Sequence, residues 1–109
     1  MIEDLRRRFL PRFVETSRER LARAHSLFEG GDAPTLAHEL HALAGEAMML
    51  DLGAVADHAR LAEVAARAWS KASEDSGGCS RAACAHCLEI VGQALHALSI
   101  SSPNQSGAP

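Results

Sequence analysis

A chain of 109 residues and 11.6 kDa has the size of one domain, and its 47% hydrophobic and 23% charged residues are ordinary for a globular protein. The net charge of −3 excludes a general electrostatic attraction to nucleic acid, and the short apolar runs exclude a membrane span of ~20 residues. About one residue in five is Ala and only 4% are aromatic, which favours closely packed helices over β-sheet. No apolar segment follows the first eight residues, which argues against a secretory signal. We expect a cytosolic, all-α domain.

Helical periodicity predicts four helices joined by short connections. Their expected bounds are about Ile2–Glu29, interrupted or kinked near Pro11, then Ala33–Leu50, Ala54–Ser73 and Ser80–Leu98. Gly30 and Gly31 should end the first helix, and Asp32 should cap the second. Residues 74–78 are predicted to be a loop from their composition, and residues 99–109 a flexible tail. The predicted architecture is an antiparallel four-helix bundle over residues 1–98 with an additional N-terminal helical segment.

The second helix carries a histidine beside its apolar face. At 100 degrees per residue, the apolar side chains form one core stripe, which consists of Leu36, Leu40, Leu43, Ala47 and Leu50. His41 falls on the flank of this stripe, and its neighbours one turn away are Ala37, His38, Ala44 and Gly45. A mid-helix Gly costs about 1 kcal/mol relative to Ala, so Gly45 calls for a reason. Either a neighbouring helix packs against Gly45, or a partner approaches the backbone beside His41.

The segment Ala37–Ala47, which reads AHELHALAGEA, resembles the signature of histidine phosphotransfer (HPt) domains. In that family a His is followed by Leu at the second position, Lys or Ala at the third and Gly at the fourth, as Leu43, Ala44 and Gly45 follow His41. The resemblance covers about residues 9–70. His38 is the rival for the same role, but a motif read from His38 places Ala42 where the Gly belongs, so we predict His41.

The resemblance implies that His41 is the phosphorylated nucleophile of a phosphorelay, and that the protein is a carrier rather than an enzyme. It would take a phosphoryl group from an Asp of one receiver domain, in a hybrid histidine kinase, and pass it to an Asp of another, in a response regulator. The cofactor would be Mg²⁺ in the partner receiver, with none bound by the chain itself. We further expect a cytoplasmic monomer that binds neither nucleic acid nor membrane. A neutral imidazole suits this chemistry because His is readily kept neutral near physiological pH.

The sequence departs from the family pattern in its charges near the histidine. Many HPt domains carry a cation at the position of Ala42 or Ala44, and here both are Ala, while Glu46 adds an acid within about a turn and a half. On the third helix, Arg60 and Arg67 share one stripe, so one of them could replace the missing cation, or both could form an ordinary solvated face. The alternative function is an adaptor of the same fold that cannot be phosphorylated and that binds a receiver domain or a kinase.

Three cysteines, Cys79, Cys84 and Cys87, have the spacing C-x₄-C-x₂-C, with His86 between them. A fourth Cys for an iron–sulfur site is missing, whereas three Cys and a His could bind zinc. On a helical wheel, Cys84 and Cys87 fall on the apolar face of the fourth helix, which favours core packing. We therefore predict no metal site, and a small metal or redox sensor is the remaining alternative.

Overall fold

The structure, a computed structural model, describes residues 2–72 and 74–100, with side chains described for residue 4, residues 7–72 and residues 80–98. These residues form four α-helices and no β-strand among them. The helices are α1 (Ile2–Glu29), α2 (Ala33–Met49), α3 (Gly53–Lys71) and α4 (Glu74–Ile100). The all-α prediction is confirmed, and three predicted helices have bounds within two residues of the observed ones.

Two tight turns reverse the chain and make consecutive helices antiparallel. After α1, Gly31 adopts a positive φ of 78°, while the N–H of Asp32 donates to the carbonyl of Leu27 and the N–H of Gly31 to that of Phe28. This is the Schellman arrangement, in which a left-handed residue closes the helix end. The carboxylate of Asp32 then accepts from the N–H of Thr35 at 3.2 Å and caps α2, as predicted.

The turn between α2 and α3 repeats this arrangement with a different residue. Asp51 has a φ of 57°, and the N–H of Leu52 donates to the carbonyl of Ala47. Asp is one of the few side chains that tolerate this conformation, which explains how the turn forms without Gly at that position. The turn fixes the register in which α2 and α3 face each other.

Alanine side chains bring the helices close together at the centre of the bundle. α2 packs chiefly against α3, and α3 against α4, while α1 contacts both α2 and α4. Four alanines of α3 have no solvent exposure: Ala56, Ala59, Ala62 and Ala66. The same core cluster contains fully buried larger side chains of the neighbouring helices, among them Leu36, Leu40, Leu88 and Val91. The small side chains of α3 therefore let two helices approach it at once.

Two sequence predictions about the helix ends need correction. Residues 74–78, predicted to be a loop, belong to α4, because extending a packed helix gains a hydrogen bond for each residue fixed. α4 also runs to Ile100, two residues beyond the predicted end of the domain, and residues 101–109 lie outside the described part of the chain.

Proline does not interrupt α1. The helix is continuous through Pro11, so the predicted N-terminal segment is part of α1 rather than a separate helix. A proline removes one backbone hydrogen bond and costs about 3 kcal/mol. The neighbouring Leu10, Phe13 and Val14 are all buried, and their packing offsets that cost.

Candidate functional site

His41 lies in the middle of α2 and projects toward solvent between α2 and α3. Its side chain is 71% exposed, whereas Leu40 and Leu43 on either side of it are 1% exposed. The helical register therefore places the imidazole at the surface while its neighbours anchor α2 in the core. Such a ring is accessible to a second protein and held on a rigid backbone.

One carboxylate holds the imidazole from the neighbouring helix. Nδ1 of His41 lies 3.2 Å from Oε1 of Glu63, whose side chain is only 14% exposed. Because an ionised carboxylate can only accept, the proton of the neutral ring lies on Nδ1 and its lone pair on Nε2. Nε2 has no hydrogen-bond partner among the described residues. The contact thus fixes both the ring orientation and its tautomer.

Arg67 fixes Glu63 from the other side. Its Nε donates to Oε2 of Glu63 at 2.9 Å, and its Nη2 forms an ion pair with the same oxygen at 2.7 Å, one turn along α3. Burial raises the pKa of Glu63, but the hydrogen bonds from Arg67 and His41 outweigh it and lower the pKa below the ordinary value of 4.5. The carboxylate is therefore ionised at neutral pH and bridges a histidine and an arginine.

The residues predicted around His41 divide into exposed and buried groups. Gly45 and His38 are exposed, and a Cβ built on Gly45 would meet no atom within 4 Å. The packing explanation for Gly45 therefore fails, because none of the described residues of the other helices touches that position. Ala37 and Ala44 are 1% and 4% exposed and therefore belong to the core.

The two predicted arginines differ in what they contact. Arg67 reaches the site through Glu63, whereas Arg60 is exposed on α3 one turn before Glu63. Because residues 41 and 63 face each other in antiparallel helices, residue 60 lies roughly opposite residue 44. Arg60 thus lies across from Ala44, the position on α2 at which many HPt domains carry a cation.

The acid at Glu46 does not add an unpaired charge to this surface. Its Oε1 accepts from Nη2 of Arg20 at 3.1 Å, and Nη1 of the same guanidinium donates to Glu39 at 3.3 Å. Five residues along a helix rotate a side chain by about 140 degrees, so Glu46 faces α1 while His41 faces α3. Arg20 neutralises the repulsion that the sequence had suggested.

The two described cysteines of α4 lie in the hydrophobic core and at its margin. Cys84 is fully buried, and burial together with the nearby Cys87 raises the pKa of its thiol to about 11 despite the opposing charge of Arg81. Cys87 is half-buried, and Cys79 lies outside the residues whose side chains are described. Within those residues, no three His, Cys, Asp or Glu side chains gather as metal ligands.

Sequence reasoning missed Glu63 as a site residue. The available signal was its place on α3 between two arginines of one stripe, but its contact with His41 depends on the register between α2 and α3.

None of the described helices is both long enough and apolar enough to cross a bilayer.

Comparison with known proteins bears out the resemblance seen in the sequence. Neither the curated proteins nor the solved structures include a match to this chain. The family model of the Hpt domain matches residues 8–99, which include all of α2 and α3 and most of α1 and α4. The chain therefore belongs to the Hpt domain family.

Proposed function

We propose that this protein is a phosphocarrier in which Nε2 of His41 accepts a phosphoryl group from an aspartyl phosphate of one receiver domain and passes it to an aspartate of a second. Membership of the Hpt family implies a part in phosphorelay histidine phosphotransfer. The observation that carries the assignment to His41 is its exposed ring, held at Nδ1 by Glu63 with Nε2 left open. His38 is also exposed, but no contact with Glu63 orients it.

The chemistry needs a neutral nucleophile aligned with the phosphorus atom. Glu63 supports the alignment, since it restricts rotation of the ring and places the proton of the neutral imidazole on Nδ1 rather than on Nε2. The remaining charge stabilisation would come from Mg²⁺ and basic groups in the receiver, as the family implies. The chain alone would therefore carry phosphate without activating it, in keeping with Hpt domains as carriers rather than enzymes.

Gly45 suits the approach of the receiver. It lies one turn after His41 on the same side of α2, and the space above it is open. Met48 follows on that side and is 51% exposed, which offers apolar surface to a partner. We propose that a receiver covers this part of α2, with the Hpt domain acting as a cytoplasmic monomer and without nucleic acid or membrane contacts.

Arg60 and Arg67 take the place of the cation that Ala42 and Ala44 do not supply. They lie on α3 on either side of Glu63, and neither guanidinium is buried. A guanidinium near the phosphoryl oxygens can form charge-assisted hydrogen bonds. Arg67→Ala should therefore reduce phosphate acceptance, and Lys71→Ala on the same helix serves as a control that should not. Acceptance by Arg67→Ala at the wild-type rate would remove this role from Arg67.

Transfer from a labelled receiver tests the proposed function. The wild type, His41→Gln and His38→Gln proteins are incubated with a ³²P-labelled receiver and its Mg²⁺. We expect acid-labile, base-stable label on the wild type and on His38→Gln, and none on His41→Gln. Label that persists on His41→Gln would move the site, and no transfer from any receiver of the same organism would favour the alternative, an adaptor that docks receivers without accepting phosphate.

A further inference from the structure

We infer that Glu63 controls how readily the phosphoryl group leaves His41, and that Arg67 limits this effect. The inference rests on the proposed function and adds a determinant of the lifetime and direction of transfer. Glu63 touches neither phosphorus nor receiver in this account, so it is a positioning residue that acts through the imidazole. Its carboxylate contacts the side chains of both His41 and Arg67.

The two oxygens of Glu63 are used separately. Oε1 lies 3.2 Å from Nδ1 of His41, whereas Oε2 accepts a hydrogen bond from Nε of Arg67 at 2.9 Å and lies 2.7 Å from its Nη2 in an ion pair. Glu63 is 14% exposed, whereas His41 and Arg67 are 71% and 54% exposed. The carboxylate is therefore shielded between two side chains that are themselves in contact with solvent, and its charge is shared between them.

Phosphorylation keeps the Nδ1 proton in this contact. The lone pair of Nε2 forms a bond to phosphorus while the bond from phosphorus to the aspartyl oxygen breaks, and no proton has to leave the ring. The product is an imidazolium that carries phosphorus on Nε2 and hydrogen on Nδ1. The carboxylate of Glu63 stabilises this cation, because a hydrogen bond between charged partners is about twice as strong as a neutral one.

The same proton decides how easily the group departs. When a receiver aspartate or water attacks phosphorus, the P–Nε2 bond breaks and its electron pair returns to Nε2. If Nδ1 holds its proton, the leaving group is neutral imidazole, whereas without that proton it is the much poorer imidazolate. By keeping the proton on Nδ1, Glu63 favours donation of the phosphoryl group over its storage on His41.

Arg67 acts in the opposite direction on the same carboxylate. Its hydrogen bond and ion pair draw negative charge toward Oε2, which leaves Oε1 a weaker acceptor for the Nδ1 proton. The other ionisable groups on this surface are His38, one turn before His41 on α2, and Arg60, one turn before Glu63 on α3. Both are exposed and remain unchanged in the variants below, so they do not contribute to a difference between them.

The lifetime of the phosphohistidine tests the inference without a cognate partner. The wild type, Glu63→Gln and Arg67→Met proteins are phosphorylated with the small-molecule donor phosphoramidate and desalted. Decay of the phosphohistidine signal is then followed by ³¹P NMR between pH 5 and 9. Only the phosphorylated fraction is observed, so a variant that is labelled slowly can still be compared. Circular dichroism and thermal unfolding check that each variant is folded.

We expect Glu63→Gln to lengthen the lifetime about tenfold near neutral pH, which corresponds to a midpoint of the pH profile lower by about one unit. Arg67→Met should shorten the lifetime about threefold and move the midpoint upward, because the carboxylate then interacts with the ring alone. Glu46→Gln is the matched control, since Glu46 is bound to Arg20 on the other side of α2, and it should behave as the wild type.

Opposite shifts in the two variants are the signature of the inference, because simple loss of structure would move both lifetimes in one direction. Equal lifetimes, or shifts of the same sign, would overturn the role of Glu63 and leave the proposed function standing if the wild type is labelled on His41. A wild type that takes no label at His41 from phosphoramidate or from any receiver would overturn both.

Discussion

Replacement of Gly45 by Ala should make the protein more stable and a poorer phosphate acceptor. A Cβ at this position meets no atom within 4 Å, and the φ of Gly45 is not in the positive range, so Ala fits without strain. The gain in helix propensity is about 1 kcal/mol, which corresponds to a rise in Tm of about 4 °C for a domain of this size. The added methyl group stands where we propose that the receiver approaches His41, and Gly45→Leu should obstruct it more strongly.

Gly92→Ala provides the matched control for this prediction. Gly92 also lies within a helix, and a Cβ there comes 3.4 Å from Cδ2 of Leu21, which is ordinary van der Waals contact. We expect Gly92→Ala to transfer phosphate as the wild type does, whereas Gly45→Ala slows transfer about tenfold, the effect of about 1.4 kcal/mol in the barrier. Urea unfolding and transfer from a labelled receiver are the two assays. A lower stability of Gly45→Ala would contradict the open space that the structure shows around Gly45. Normal phosphate transfer by Gly45→Leu would show that the receiver does not approach His41 at this position.

Three further predictions concern stability. Arg20→Met should lower the free energy of unfolding in urea by about 1–2 kcal/mol, because Arg20 is 16% exposed and bridges two glutamates of α2. A loss below about 0.5 kcal/mol would show that this bridge does not stabilise the fold. The lowered pKa of Glu63 means that its ionised form stabilises the fold above pH 4.5, and that this contribution is lost as the pH falls through the lower folded value. Unfolding at pH 6 and pH 3.5 should therefore show a smaller acid loss for Glu63→Gln than for the wild type, and equal losses would contradict it. The pKa of Cys84, raised to about 11 from 9.0, predicts a loss of stability as the pH rises through this range. Unfolding measured at pH 8 and pH 10.5 should show a smaller loss for Cys84→Ala than for the wild type. The same loss in both proteins would contradict this prediction.

The helices of the bundle could be predicted from the sequence because their signals are local. The cap at Asp32 and the left-handed turn at Gly31 each depend on residues within one turn of chain. The apolar stripe of α2 likewise follows from its own spacing, and it placed His41 correctly at the surface. Residues 74–78 were mispredicted because their composition favours a loop, whereas the observed helix is set by the packing of α4 as a whole.

The candidate site was only half predictable for the same reason. His41 and Gly45 lie on one helix, so spacing alone relates them. Glu63 reaches His41 from 22 residues away, and that contact requires the antiparallel register of α2 and α3. The pairing of Glu46 with Arg20 similarly depends on how α1 lies against α2. This ion pair neutralises the acid that the sequence alone suggested would repel a phosphoryl group on His41.

The nitrogen atom that carries phosphorus decides whether His41 is the phosphorylated residue. Two-dimensional NMR of ¹⁵N-histidine-labelled protein after phosphorylation identifies both the residue and the nitrogen that bears the phosphoryl group. The structure predicts phosphorus on Nε2 of His41, with Nδ1 still protonated and bound to Glu63. Phosphorus on Nδ1 of His41, or on His38, would contradict it.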